Sequence, residues 1–141
     1  MKLRSCINRY IRYFFVSILC SLPTLFINSH MLINRFRLHL VSTIIFLIFI
    51  MVDSYKFGAY FGKHKHVKYG IIYPFAGLVL TTYICHFLIK SSRFKYLFLH
   101  LCTCQYFGIP RFLSMTIIYV VAIGLMSLCL YMGKRKFYRN L

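Results

Sequence analysis

Four long apolar runs are separated by short basic gaps along this chain of 141 residues. They are FFVSILCSLPTLFIN (Phe14–Asn28), LHLVSTIIFLIFIMV (Leu38–Val52), YGIIYPFAGLVLTTYICHFLI (Tyr69–Ile89) and SMTIIYVVAIGLMSLCLYMG (Ser114–Gly133). A buried strand can also read as continuous apolar sequence, but strands stop after about 4–8 residues. A helix needs about 20 residues to cross a hydrocarbon core about 30 Å thick. The runs therefore predict transmembrane helices over 11–28, 38–61, 69–89 and 113–133. The second reaches crossing length only by including Asp53, Ser54 and Lys56. A fifth stretch, YLFLHLCTCQYFGIP (Tyr96–Pro110), is aromatic but short and ends in Gly and Pro. It is expected to form a half-helix over 96–109, either re-entrant or interfacial, between helices three and four. The expected fold class is thus all-α, a polytopic membrane protein with residues 1–141 forming a single integral membrane domain.

Composition points the same way. Hydrophobic residues make up 60% of the chain and charged residues 13%, against about 25% charged in an ordinary soluble domain. The formal charge of +17 raises the question of nucleic acid, whose phosphates are met by Lys and Arg. Position answers it: the basic residues flank apolar runs, where anionic lipid headgroups are the natural counter-charge. The expected partners are membrane lipids with anionic headgroups, and a homo-oligomer or a membrane-protein partner, with no nucleic acid. Cytoplasmic loops tend to hold the excess of Lys and Arg. With four crossings and the N-terminus inside, two thirds of the 18 basic residues fall inside, whereas five crossings divide them evenly. A cell-membrane, multi-pass protein with both termini cytoplasmic is expected.

The N-terminal charge followed by an apolar run has the outline of a signal peptide. Ile27 breaks the small-x-small pattern before Ser29, so a retained first helix is expected. Small residues recur at helical spacing as Ser17, Ser21, Thr24 and Asn28, as Ser54, Gly58 and Gly62, and as Gly70, Pro74, Gly77 and Thr81. Membrane helices pack through such faces, and close packing within one chain is the simplest use of them.

Asp53 is the only acidic residue. A carboxylate inside an apolar segment is costly and marks an interior face, an aqueous cavity or a basic partner. Lys56, three residues on, is the local partner that helical spacing offers, with Tyr55 and Tyr60 as hydroxyl donors. One acid per chain excludes paired-carboxylate chemistry within one protomer and weakens any Mg²⁺ site. The catalytic candidates are Asp53, His64 and His66. Candidates for binding a substrate or ion are Asp53, Lys56, Tyr60, Lys63, Lys65 and Lys68, the lysines as point charges toward phosphate. His100, Cys102 and Cys104 carry metal-ligating atoms, but a C-x-C spacing alone is a weak signal, and no cofactor is expected. The glycine-rich phosphate loops and the H-E-x-x-H pattern are absent from the sequence.

These features suit a small non-enzymatic membrane protein: an accessory or immunity-type subunit, or a small oligomeric transporter using Asp53. The alternative is an intramembrane or interfacial enzyme acting on a lipid-linked or anionic substrate at the cytoplasmic face.

Overall fold

The computed structural model describes residues 3–25, 32–88 and 108–141. These form helices α1 (Leu3–Leu25), α2 (Leu32–Phe61), α3 (Tyr69–Leu88) and α4 (Arg111–Arg139). At about 1.5 Å rise per residue, α2 and α4 reach about 45 Å, longer than the hydrocarbon core alone. α2 from Arg37, α3, and α4 from Phe112 are long and apolar enough to cross a membrane. The protein is an all-α, polytopic membrane protein.

The helix ends differ instructively from the apolar runs. α1 begins at Leu3 rather than at residue 11, and α4 continues to Arg139 rather than stopping at 133. Hydropathy marks the stretch that suits lipid, whereas Arg and Lys are good helix formers and prolong a helix into the headgroup layer. Lys136 and Arg139 lie in the last turn of α4, where cations oppose the negative end of the helix dipole. Pro110 precedes α4, and its carbonyl accepts the Ser114 N–H at 2.9 Å. Pro74 lies inside α3, early enough that the hydrogen bond it forgoes belongs to the first turns.

Contacts fix the directions. α2 and α4 run parallel: Gly58 lies against Leu130 and Lys134, and Gly62 against Phe137. α3 and α4 run antiparallel and meet through long side chains. The Phe75 and Tyr119 rings sit 5.9 Å apart, and those of Phe87 and Phe112 sit 5.8 Å apart. The end of α3 and the start of α4 therefore lie together. α1 packs on α2 and α3, with Tyr13 edge-on to both Phe49 and Phe75. Ser5 shares a cavity wall with His64, Lys65 and His66, and the Tyr138 hydroxyl reaches the Gly62 carbonyl at 3.5 Å. The start of α1, the 62–68 turn and the end of α4 thus occupy one end of the bundle.

The core contains Tyr13, Phe46, Ile50, Phe75, Leu78 and Ala122, all fully or almost fully buried. Outward faces are apolar as well, with Phe15, Ile48, Leu80, Val120 and Leu128 among the exposed side chains. An apolar surface this extensive is unsuited to water and suits lipid. Interior hydroxyls turn back to their own helix: Ser21 Oγ donates to the Ser17 carbonyl, Thr43 Oγ1 to His39 and Ser54 Oγ to Ile50, at 2.7–2.8 Å. This i−4 back-bonding lets a small polar residue sit in an apolar helix.

The small-residue stripes are used within the chain. A Cβ on Gly58 would overlap the Leu130 carbonyl, and one on Gly133 would overlap that of Tyr55. The two glycines interlock backbone to backbone, and α2 and α4 approach more closely than any pair with side chains at these positions could. Gly77 faces the Tyr10 ring.

Candidate functional site: a carboxylate held between two arginines and a tyrosine

α1 and α2 meet around Asp53, whose side chain is 11% exposed. Tyr13 donates its hydroxyl to Asp53 Oδ2 at 2.7 Å. Arg9 Nη1 lies 3.3 Å from the same oxygen, off the line of a hydrogen bond, so that contact is Coulombic rather than directional. Arg12 Nη1 approaches Oδ1 at 3.5 Å, long for a hydrogen bond. Arg9 and Arg12 differ in setting, with side chains 15% and 59% exposed. The Arg9 guanidinium also sits 4.1 Å from the centre of the Phe57 ring, a cation–π contact that strengthens when water is excluded. Arg9, Arg12 and Tyr13 are spaced i, i+3 and i+4, which places all three on one face of α1.

The local pairing of Asp53 with Lys56 is replaced by this arrangement. Lys56 is exposed, and the ion pairs of Asp53 among the described residues go to Arg9 and Arg12. Guanidinium is more weakly hydrated than ammonium and is better suited to a buried pair. Tyr60 is 75% exposed, and the hydroxyl at the carboxylate comes from Tyr13 instead. Tyr55 lies under a different cation, with Lys136 Nζ 5.8 Å from its ring centre.

The two histidines of the turn go separate ways. His64 lies beside Phe61 with ring centres 6.3 Å apart, and His66 beside Tyr69 at 5.7 Å; both are exposed. Asp53, by contrast, directs its carboxylate to α1, so the three catalytic candidates do not form one constellation. Among the described residues, no cluster of three His, Cys, Asp or Glu side chains could hold a metal ion. His100, Cys102 and Cys104, like residues 96–107 of the half-helix, lie outside the described residues. Lys63, Lys65 and Lys68 are exposed on the turn, and two of them, Lys65 and Lys68, line a cleft with Lys134.

A second polar feature was not visible in the run of residues. Adjacent Thr81 and Thr82 of α3 face different neighbours. Thr81 pairs with Tyr10 of α1 at 2.7 Å, and Thr82 pairs with Tyr119 of α4. The next residue, Tyr83, pairs at 2.6 Å with Thr116, one turn before Tyr119 on α4. Interhelical hydrogen bonds in membranes average about 0.6 kcal/mol. A double-mutant cycle on Tyr83→Phe and Thr116→Val should therefore give a coupling of about 0.5–1 kcal/mol in detergent unfolding; a coupling indistinguishable from zero would dismiss the pair as a contributor. His39, 3% exposed, is a further buried polar residue on α2, and it is engaged rather than free.

Comparison of the chain with protein-family models, with curated proteins and with solved structures finds no match.

Proposed function

We propose that this chain is a non-catalytic membrane protein of four crossings, an accessory-type subunit whose single carboxylate serves assembly. On this reading α1 is the first crossing, and the basic end faces the anionic cytoplasmic leaflet. The observation that carries it is the engagement of both Asp53 oxygens by Arg9, Arg12 and Tyr13. A coupling carboxylate must release its partners to take a proton or cation from water. This one is largely enclosed and carries two positive neighbours, which disfavour a further cation.

Four crossings are supported by the meeting of Phe87 and Phe112, which sets the end of α3 and the start of α4 at the same end of the bundle. Common sidedness of the termini is supported by Ser5 and Tyr138, both at the 62–68 turn. Arg4, Arg9, Arg12, the turn lysines and Lys134 to Arg139 share that end, which the positive-inside tendency places in the cytoplasm. An interfacial enzyme is less well supported, because Asp53 is engaged by α1 while His64 and His66 lie beside Phe61 and Tyr69.

The reading has a direct test. Single cysteines placed at Ser5 and Asn140 in a cysteine-free background should both resist a membrane-impermeant maleimide in intact cells and both react after permeabilisation. Reaction of one alone in intact cells would reject the four-crossing arrangement. In proteoliposomes, proton flux should be the same for the wild type and for the charge-balanced Asp53→Asn/Arg9→Gln pair. Flux in the wild type that vanishes in a folded pair would return Asp53 to transport.

A further inference from the structure

A cleft of about 320 Å³ opens between α3 and α4 at the basic end. Its mouth carries Lys65 and Lys68 from the turn and Lys134 from α4, with Tyr131 and Ser127 one and two turns back along α4. Its floor is Ile71, Met126 and Leu130, all buried. Ile72 and Met126 also line a small slot of about 40 Å³ that continues along the same helix pair past Phe75, Ala76 and Ile123. The slot is wholly apolar. Ile72, Ile123 and Tyr131 are exposed on the outer edge, so the crevice opens sideways from the bundle.

The crevice has an evident origin. Farther along the pair, α3 and α4 are bridged by Phe75, Tyr83 and Tyr119. Toward the basic end the buried facing side chains are Ile71, Met126 and Leu130, with no ring pair among the described residues bridging the helices there. The result is a cationic mouth over an apolar furrow. The chain's sole acidic side chain is committed to α1, so within the protein the three lysines have no acidic side chain to answer them.

We infer that this crevice binds one anionic phospholipid, with its phosphate between Lys65, Lys68 and Lys134 and its acyl chain along Ile72, Met126 and Ile123. Lysines bind phosphate as mobile point charges, and basic pockets between membrane helices on the cytoplasmic side take anionic headgroups. The inference rests on the membrane placement proposed above but not on the side that the basic end faces.

The chain contains no Trp, so one introduced Trp reports without background. Ser127→Trp places the reporter at the cleft, and Phe15→Trp places it on the exposed face of α1. Vesicles of the same composition in both leaflets carry brominated phosphatidylglycerol or brominated phosphatidylcholine as quencher. At position 127, phosphatidylglycerol should be preferred by about tenfold, as three nearby lysines allow, with a much smaller preference at position 15. The Lys65→Gln/Lys68→Gln/Lys134→Gln variant should lose the preference at 127. Lys63→Gln/Arg135→Gln/Arg139→Gln removes equal charge outside the cleft and should keep most of it. Equal preference at both reporters, equal loss in both triple variants, or no preference at all would overturn the site. Helicity and monodispersity of each variant verify that the fold is intact, and the cysteine labelling above fails independently of this result.

Discussion

Asp53→Asn is expected to destabilise the bundle by about 3–5 kcal/mol, the loss that follows when one partner of a buried pair is removed and the other charge stays behind. The stranded charge is Arg9, whose side chain is 15% exposed. Its contact with Phe57 is retained, but the ring quadrupole offsets only part of a desolvated charge. The neighbouring substitutions should rank by enclosure. Arg12→Gln should cost less than about 1 kcal/mol, because an exposed ion pair contributes little. Tyr13→Phe should cost about 1–3 kcal/mol, since it removes a hydrogen bond to a buried acceptor. Asp53→Asn/Arg9→Gln should recover most of the loss, because no buried charge is then left without its partner. Reversible unfolding in mixed micelles checks the series. An Asp53→Asn protein within about 1 kcal/mol of the wild type would mean that the cluster is well hydrated and only loosely coupled to the fold.

The second large effect is expected at Gly133. A side chain there would collide with the Tyr55 carbonyl and crowd the Ala59 amide, backbone atoms that no rotamer can move aside. Overpacking an interior by a few methylenes usually costs about 1–3 kcal/mol. Here α2 and α4 must separate along their length, so Gly133→Leu should reach or exceed the top of that range, and Gly58→Leu should behave alike. Gly124, on the same helix, meets nothing within 4 Å of its would-be Cβ. Gly124→Leu should be neutral or slightly stabilising, because Gly is a poor helix former by about 1 kcal/mol. If Gly133→Leu unfolds no more readily than Gly124→Leu in the same micelles, the glycine interlock is not what joins the two helices.

The helical class could be read from the length and polarity of the apolar runs, because a bilayer admits few other structures. Three of the helices meet that standard on their own residues. The extent of α1 could not be read so directly. Arg4, Arg9 and Arg12 resemble a solvated tail when taken locally, and the role of Arg9 and Arg12 depends on a carboxylate some forty residues away in α2. The partners of Asp53 were hidden for the same reason: helical spacing proposes Lys56, whereas the fold brings up another helix. A signal was present nonetheless. A lone intramembrane acid, set against two arginines and a tyrosine sharing one face of a flanking segment, leaves few pairings that balance charge. The small-residue stripes foretold close packing but not the partner. The sites of contact at Gly58 and Gly133 emerge only once α2 and α4 are known to run parallel. The Tyr–Thr pairs carried no local mark at all, since Thr81 and Thr82 look alike in sequence and serve opposite neighbours.

The parallel contact of α2 with α4 has a consequence for the order in which the bundle can be built. During synthesis α2 enters the bilayer before α3 and α4 exist, so its glycine face must first lie against lipid. Its carboxylate has no such wait, because Arg9, Arg12 and Tyr13 precede it on the ribosome. The α1–α2 pair can close at once and shield Asp53, while the α2–α4 interface forms only after two further helices have been inserted. Membrane helices that insert first and associate afterwards are well suited to that delay. The charged clamp and the glycine interlock therefore act at different times, the first guarding a nascent hairpin and the second completing the bundle.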